Sequence, residues 1–470
     1  MLTFHSPQKT VFLRQAFLPR MSARQVQLKN RNKQIMDNTA RNNQMNQRTA
    51  AGAPRRNKEG GNWMRMLLMT AMLGAFAGLV IWGFLKLTAL CTGLVWDLAP
   101  AHMGGKGITV LLCAVGGLAA GILRKTSGDY PESLDIVLGK IKKDHHYPYH
   151  PMLVMLLCAF LPLVFGASVG PEAGLAGIIA ALCYWVGDNV TFAKQNMDLY
   201  SRVGEAVTLG QLFHSPLFGI LAVEEDEEQL APERMPKGWR LLLYAISTAS
   251  SFGVIWILNS LFGKAMGGFP GFSEVKISVP DAFLSLVYIP VGCLLFLFYE
   301  GSEAVMKTAA DHIPAVLRET LCGLGIGLMG LAVPMVLFSG EEQMAELIHE
   351  DGGYSVLFLV GICLLKLVMT SFCLQFGLKG GHFFPMIFAC TCMGYALGML
   401  FYSGSAGHAA FAAGMITAAA LGAQMKKPLA VTVLLLLCFP VRFLIWGFIS
   451  AAVGSGLAGL LERRREARHE

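Results

Sequence analysis

Residues 145–187 read HHYPYHPMLVMLLCAFLPLVFGASVGPEAGLAGIIAALCYWVG, and Glu172 is the one Asp, Glu, Lys or Arg among them. A run of this length with a single formal charge is foreign to soluble proteins, whose helices turn a charged face to water every turn or two. The same pattern recurs along the chain. Residues 66–85, 241–263, 282–299, 320–340 and 443–461 lack Asp, Glu, Lys and Arg, and 380–425 runs for 46 residues without one. A bilayer-spanning helix needs about 20 largely apolar residues. With 54% hydrophobic and 15% charged residues overall, against about 25% charged in soluble domains, the chain is predicted to be an all-α polytopic membrane protein.

Working outward from Glu172, the segments on either side are short, rich in glycine and interrupted by proline. Gly170-Pro171-Glu172 opens an apolar helix, and Ser215-Pro216-Leu217 opens another 44 residues after Glu172. In the second half Gly381-His382-Phe383 opens an apolar helix, and Lys427-Pro428-Leu429 opens another 45 residues after Phe383. Paired discontinuous segments at matching places in two halves point to a transport site. Helix N-termini carry about half a positive charge and unpaired N–H groups, so two of them meeting at mid-membrane make an anion site. A carboxylate at membrane depth costs about 2.5–3.5 kcal/mol on insertion scales. Two readings of Glu172 follow. It is a turn residue just outside the bilayer, or it stands at a helix start and competes with a bound anion for the same N–H groups, a competition that protonation releases.

The ends of the chain differ from its middle. Residues 1–65 hold 13 Lys and Arg against Asp37 and Glu59, and residues 1–63 read as a basic, disordered cytoplasmic tail. Such a tail is read as a topology signal beside the first span; binding to nucleic acid is the rival reading. Residues 462–470 form a second short basic tail, so both termini are expected in the cytoplasm. Met36 and Met64 are alternative starts. The 11 cysteines sit mostly inside apolar runs, Cys158, Cys183, Cys373, Cys390 and Cys392 among them, without the paired spacing of a zinc site. His145, His146 and His150 are the whole case for an intramembrane metalloenzyme, and their polar, proline-containing surroundings read as a loop. No metal and no cofactor is expected.

Four motifs carry a family resemblance. Gly170-Pro171-Glu172-Ala173-Gly174 resembles the Gly-Arg/Lys-Glu-Gly-Pro segment of CLC chloride channels and transporters, and Gly381-His382-Phe383-Phe384-Pro385 matches their Gly-x-Phe-x-Pro segment. His214-Ser215-Pro216-Leu217-Phe218-Gly219-Ile220-Leu221, leading to Glu224-Glu225, resembles the Asn-Ala-Pro-Leu-x-Gly-x-Leu helix that ends in paired acids. Lys427-Pro428-Leu429 resembles the Ala-Pro-Leu of the second half. The order holds from about residue 64 to 461.

The resemblance implies two inverted-topology repeats of tilted and broken helices, about 64–235 and 236–461, and a homodimer with one anion pathway per subunit. It implies proton-coupled chloride exchange with Glu172 as the external gate. A passive channel, or transport of fluoride or nitrate, stays open on the same fold. Gly170, Gly381, His382, Phe383, Phe384 and Pro385 would surround the anion, mainly through backbone N–H groups; His382 contributes its main chain alone or also titrates. Three departures stand out. The family's Gly-Ser-Gly-Ile-Pro loop is here Thr126-Ser127-Gly128-Asp129-Tyr130-Pro131, leaving Ser127 or Gly128 at the serine position, with Asp129 opposing an anion unless it points away. The inner proton acceptor falls on Glu225 or Asp226, within an acidic run otherwise read as solvated surface. Residues 440–470 hold no tyrosine where the family's exchangers supply a hydroxyl. The nucleotide-sensing domain pair of many members is not expected, and a prokaryotic plasma membrane is.

Overall fold

The computed structural model describes residues 59–98, 107–132, 136–137, 140, 147–189, 197–212, 215–227, 236–265, 270–272, 274–349, 353–402, 405–436 and 438–467. The basic tail up to residue 58, His145, His146 and His214 therefore lie outside the described residues. The elements are helices: α1 (Glu59–Gly93), α2 (Ile108–Ser127), α3 (Met152–Val164), α4 (Glu172–Asn189), α5 (Met197–Leu212), α6 (Pro216–Glu227), α7 (Lys237–Phe262), α8 (Val279–Ala310), α9 (Ala315–Ala332), α10 (Glu341–His349), α11 (Val356–Phe376), α12 (Phe383–Tyr402), α13 (Ala406–Met425), α14 (Pro428–Leu435) and α15 (Leu444–Glu466). The first helix begins inside the segment assigned to the basic tail, and the last runs on to Glu466. Among the described residues nine helices are long and apolar enough to cross a membrane.

The four motifs open helices where the sequence puts them. α4 starts at Glu172, α6 at Pro216, α12 at Phe383 and α14 at Pro428. Proline suits the first turn of α6 and α14 because its missing N–H has no intrahelical acceptor there. α12 and α13 form the centre of the protein, with 78% and 89% of their 18-residue apolar windows buried. Helices this enclosed must approach one another closely, and glycine and alanine make the contact. A side chain at Gly394 would run into the Ala413 backbone, and one at Gly323 into the Cys113 carbonyl. Without a hydrophobic force between helices in lipid, close packing of this kind supplies the cohesion.

Basic side chains gather at one end of the helices. Arg124 closes α2 and pairs with Glu319 near the start of α9, while Arg465 of α15 pairs with Glu300 of α8 at 2.9 Å. At the opposite end a buried lysine replaces ion pairing. Lys366 on α11 is fully buried and donates to three carbonyls in a row, Val336 (3.1 Å), Leu337 (3.1 Å) and Phe338 (2.7 Å). These close the segment after α9, where Phe338 takes a positive φ of 58°. Lys366→Met should therefore strand three buried carbonyls and cost about 2–4 kcal/mol. Thermal unfolding in detergent checks this, and an unchanged midpoint would deny the lysine its pinning role.

Candidate anion site

The site begins with two backbone hydrogen bonds. Gly170 N–H donates to the Gly381 carbonyl at 2.8 Å, and Gly381 N–H donates to the Gly170 carbonyl at 2.7 Å. This isolated antiparallel bridge ties together the two segments that open α4 and α12. Helix N-termini from the two halves of the chain are thereby set side by side.

Glu172, the first residue of α4, then reaches across to α12. Its Oε1 accepts from Phe383 N–H at 2.8 Å and from Phe384 N–H at 3.4 Å. Pro385 has no N–H to offer, and Met386 N–H already donates to the His382 carbonyl. The two donors left at this helix start are the two that Glu172 occupies. The carboxylate is 5% exposed, and its Oε2 is buried without a hydrogen-bond partner. Room for it depends on the bridge residues. A Cβ on Gly381 would fall on the carboxylate, and so would one on Gly170.

The other predicted residues divide into those brought here and those that are not. The His382 ring lies 4.4 Å from the ring of Phe383 and 5.7 Å from that of buried Tyr299 of α8. Ser127 ends α2 with its hydroxyl 3.3 Å from that of Thr126, and Gly128 caps the helix at a φ of 105°. Among the described residues no contact joins Ser127 or Gly128 to Glu172, Phe383 or Phe384. Asp129 makes the link instead: it pairs with Arg124 and, at 2.7 Å, with Lys379, two residues before Gly381. Its charge is thus compensated by two cations. Glu225 and Asp226 belong to the last turn of α6, and their side chains lie outside the described residues. Glu224, read with the solvated run, is buried and paired with Arg240 (3.1 Å) and Lys237 (3.2 Å) of α7. His150 is exposed, its ring 4.8 Å from Tyr149. The cysteines named above are buried, as expected of small apolar residues.

Beside the site lies a cavity of about 330 Å³, reached by Pro171 and Val169 on one wall and by Trp96, Asp97, Glu341 and Glu342 on others. It stands at the end of the protein opposite the basic cluster. The sequence reading passed over Glu341. Its signal was present, since this residue closes the charge-free stretch 320–340, but a carboxylate at the edge of a span reads as an interfacial group.

Two helix starts set side by side, with backbone donors occupied by a buried carboxylate, suit a membrane protein that handles anions. Residues 116–459 match the family model for the voltage gated chloride channel, and the chain belongs to that family. It is 24% identical over 363 residues to chloride channel protein CLC-e of Arabidopsis thaliana, covering 70% of this chain and 48% of that protein. It is 30% identical over 249 residues to the H(+)/Cl(-) exchange transporter ClcA of Klebsiella pneumoniae, covering 50% of this chain and 49% of the relative. The chain spans about half the length of these curated relatives. In fold it is similar to the crystal structure of a CLC-type fluoride/proton antiporter, with a TM-score of 0.67, 18% identity, and 84% of this chain and 95% of that one covered.

The bridge geometry makes a direct prediction. In Gly381→Ala the new methyl group meets the movable end of Glu172 rather than backbone, so the carboxylate has to leave the Phe383 and Phe384 amides. Carbodiimide labelling of Glu172, read by peptide mass spectrometry, should rise severalfold. Labelling as slow as in the parent would mean that the carboxylate has not moved.

Proposed function

We propose that this chain carries inorganic anions, chloride foremost, across a membrane in exchange for protons, with Glu172 as the gate. The observation that carries the reading is the 2.8 Å bond from Phe383 N–H to Glu172 Oε1. A carboxylate seated on the first two amides of a helix holds the place a permeant anion would take. Charge-assisted hydrogen bonds favour the ionised form there. Protonation removes the charge, weakens those bonds and releases the amides. Each opening then consumes one proton and admits an anion, which is the elementary step of exchange. The exchange named for the Klebsiella relative fits this step.

A second reading on the same fold is an uncoupled anion pathway, which fits the channel named for the Arabidopsis relative. Fluoride remains a candidate cargo beside chloride, given the fold shared with a fluoride/proton antiporter. The positions of Arg124, Arg318 and Arg465 at one end support a cytoplasmic orientation for that face. A homodimer in a prokaryotic plasma membrane, with both termini cytoplasmic, completes the proposal.

The test uses purified protein in liposomes with a chloride gradient at equal pH, following internal pH and chloride together. Uphill proton movement is expected in the parent and none in Glu172→Gln, whose chloride flux should be faster and independent of pH. A Glu172→Gln variant that keeps the parent's pH-dependent flux would show that the gate lies elsewhere. For the inner side, Glu225→Gln and Asp226→Asn are compared singly. The proton acceptor is the one whose loss stops proton movement while chloride still flows, and survival of coupling in both removes this pair from the path.

A further inference from the structure

Among the described residues Glu341 is the one buried acid for which the fold supplies neither a counter-ion nor a hydrogen bond. It opens α10 after Gly340, whose φ of 100° lets the chain turn against the Phe388 ring of α12. Met344, one turn on, accepts from the Thr391 hydroxyl of α12 at 3.5 Å. α10 is therefore seated on the helix whose start holds Glu172. Glu341 is 8% exposed and lines the 330 Å³ cavity that Pro171 also lines, next to Glu172 in the chain. The charged groups facing it are Glu172 of α4, Glu342 of its own helix and, across the cavity, Asp97. All are acids. Burial, reinforced by the Glu172 and Glu342 carboxylates, pushes the Glu341 carboxyl well above the usual carboxylate range.

A plain structural role for Glu341 would be to complement the positive end of α10. Glu342, exposed in the same turn, is placed for that and stays solvated. A carboxyl that served only the helix would gain nothing from being turned into a cavity away from bulk solvent, where a charge is costly to hold. The cavity, by contrast, has room for several waters, and it joins a protonated carboxyl to the outer solution on one side and to the Glu172 segment on the other.

We propose that Glu341 is the outer proton-loading residue, which passes protons through the cavity to Glu172. In the step, the Glu341 carboxyl gives its proton to the Glu172 carboxylate through cavity water, and the Glu341 carboxylate left behind takes a proton from the outer solution. No electron moves. While it waits neutral, Glu341 sets no charge in the way of an incoming anion, whereas a permanently ionised residue there would repel it. The inference rests on the reading of Glu172 as the gate.

The experiment measures chloride efflux from liposomes over a series of external pH values at fixed internal pH. Glu341→Gln keeps the shape and neutrality of the protonated side chain but can pass no proton. Its flux should fall about tenfold at neutral external pH and recover at acidic pH, where Glu172 is protonated directly, moving the external midpoint down by about one unit. Glu341→Asp should recover most of the parent profile. In a Glu172→Gln background, where no proton is needed, adding Glu341→Gln should leave flux unchanged. A parent-like profile in Glu341→Gln overturns the proposal, as does an equal loss of flux at every pH that persists in the Glu172→Gln background. If Glu172→Gln itself stays pH-dependent, the gate reading has failed; if it is flat and Glu341→Gln is parent-like, only the loading role has failed.

Discussion

The two hydrogen bonds between Gly170 and Gly381 are the constraint on which the site depends. Isolated, they are worth little; one net backbone hydrogen bond contributes about 0.5–1.5 kcal/mol. Their value is positional. They hold the open ends of α4 and α12 at β-bridge distance, so that the side chain of the first residue of α4 can reach the amides of α12. Glycine is required at both places because the carboxylate of Glu172 lies where a Cβ would be. The residue that occupies the amides and the residues that leave room for it are therefore one device, and the rest of the fold serves to bury it. α12 and α13 enclose it, Lys366 pins the segment between α9 and α10, and the Asp129–Lys379 pair fastens the approach to Gly381 from the other side.

Much of this was legible in the residues. Charge-free runs of 18 to 46 residues exclude a water-facing helix surface, and helix-opening prolines mark α6 and α14. The isolation of Glu172 in 145–187 made it the residue to explain, and its place at a helix start followed from Gly170-Pro171 before it. The reach of that carboxylate to Phe383 and Phe384, 211 and 212 residues away, could be anticipated only as a competition for N–H groups, without naming the bonds. What fixes it is a cross-chain bridge, and a single antiparallel pair of glycines has no periodicity by which a sequence can announce it.

The misreadings share a physical origin. Glu224 belongs to a run of five acids, and composition treats such a run as uniform solvated surface. The fold treats it residue by residue, turning Glu224 inward onto Arg240 and Lys237 while it closes α6. Asp129 was a difficulty for an anion loop on the sequence alone, because its partners, Arg124 and Lys379, approach from α2 and from the segment 250 residues away. Lys366 drew no notice within an apolar run, since a lone lysine in a span ordinarily snorkels to the interface. Here it stays inside because three carbonyls freed by the break after α9 replace its water.

These cases sort the buried ionisable groups by what replaces solvent. Arg124 with Glu319, Arg240 with Glu224, and His408 with Asp281 at 2.8 Å are paired side chain to side chain. In such a pair each partner replaces water that the other has lost, and removing either would leave the other buried and unpaired. Lys366 is held by carbonyls and Glu172 by amides, neutral dipoles that stabilise a charge but do not forbid its loss. Glu341 has neither. Among the described residues Glu172 and Glu341 are the two buried carboxylates without a side-chain counter-ion, and they are the two nearest the candidate site. Proton traffic in a low-dielectric interior requires groups whose charge is cheap to cancel. In this fold they are found where the protein has declined to supply a counter-ion.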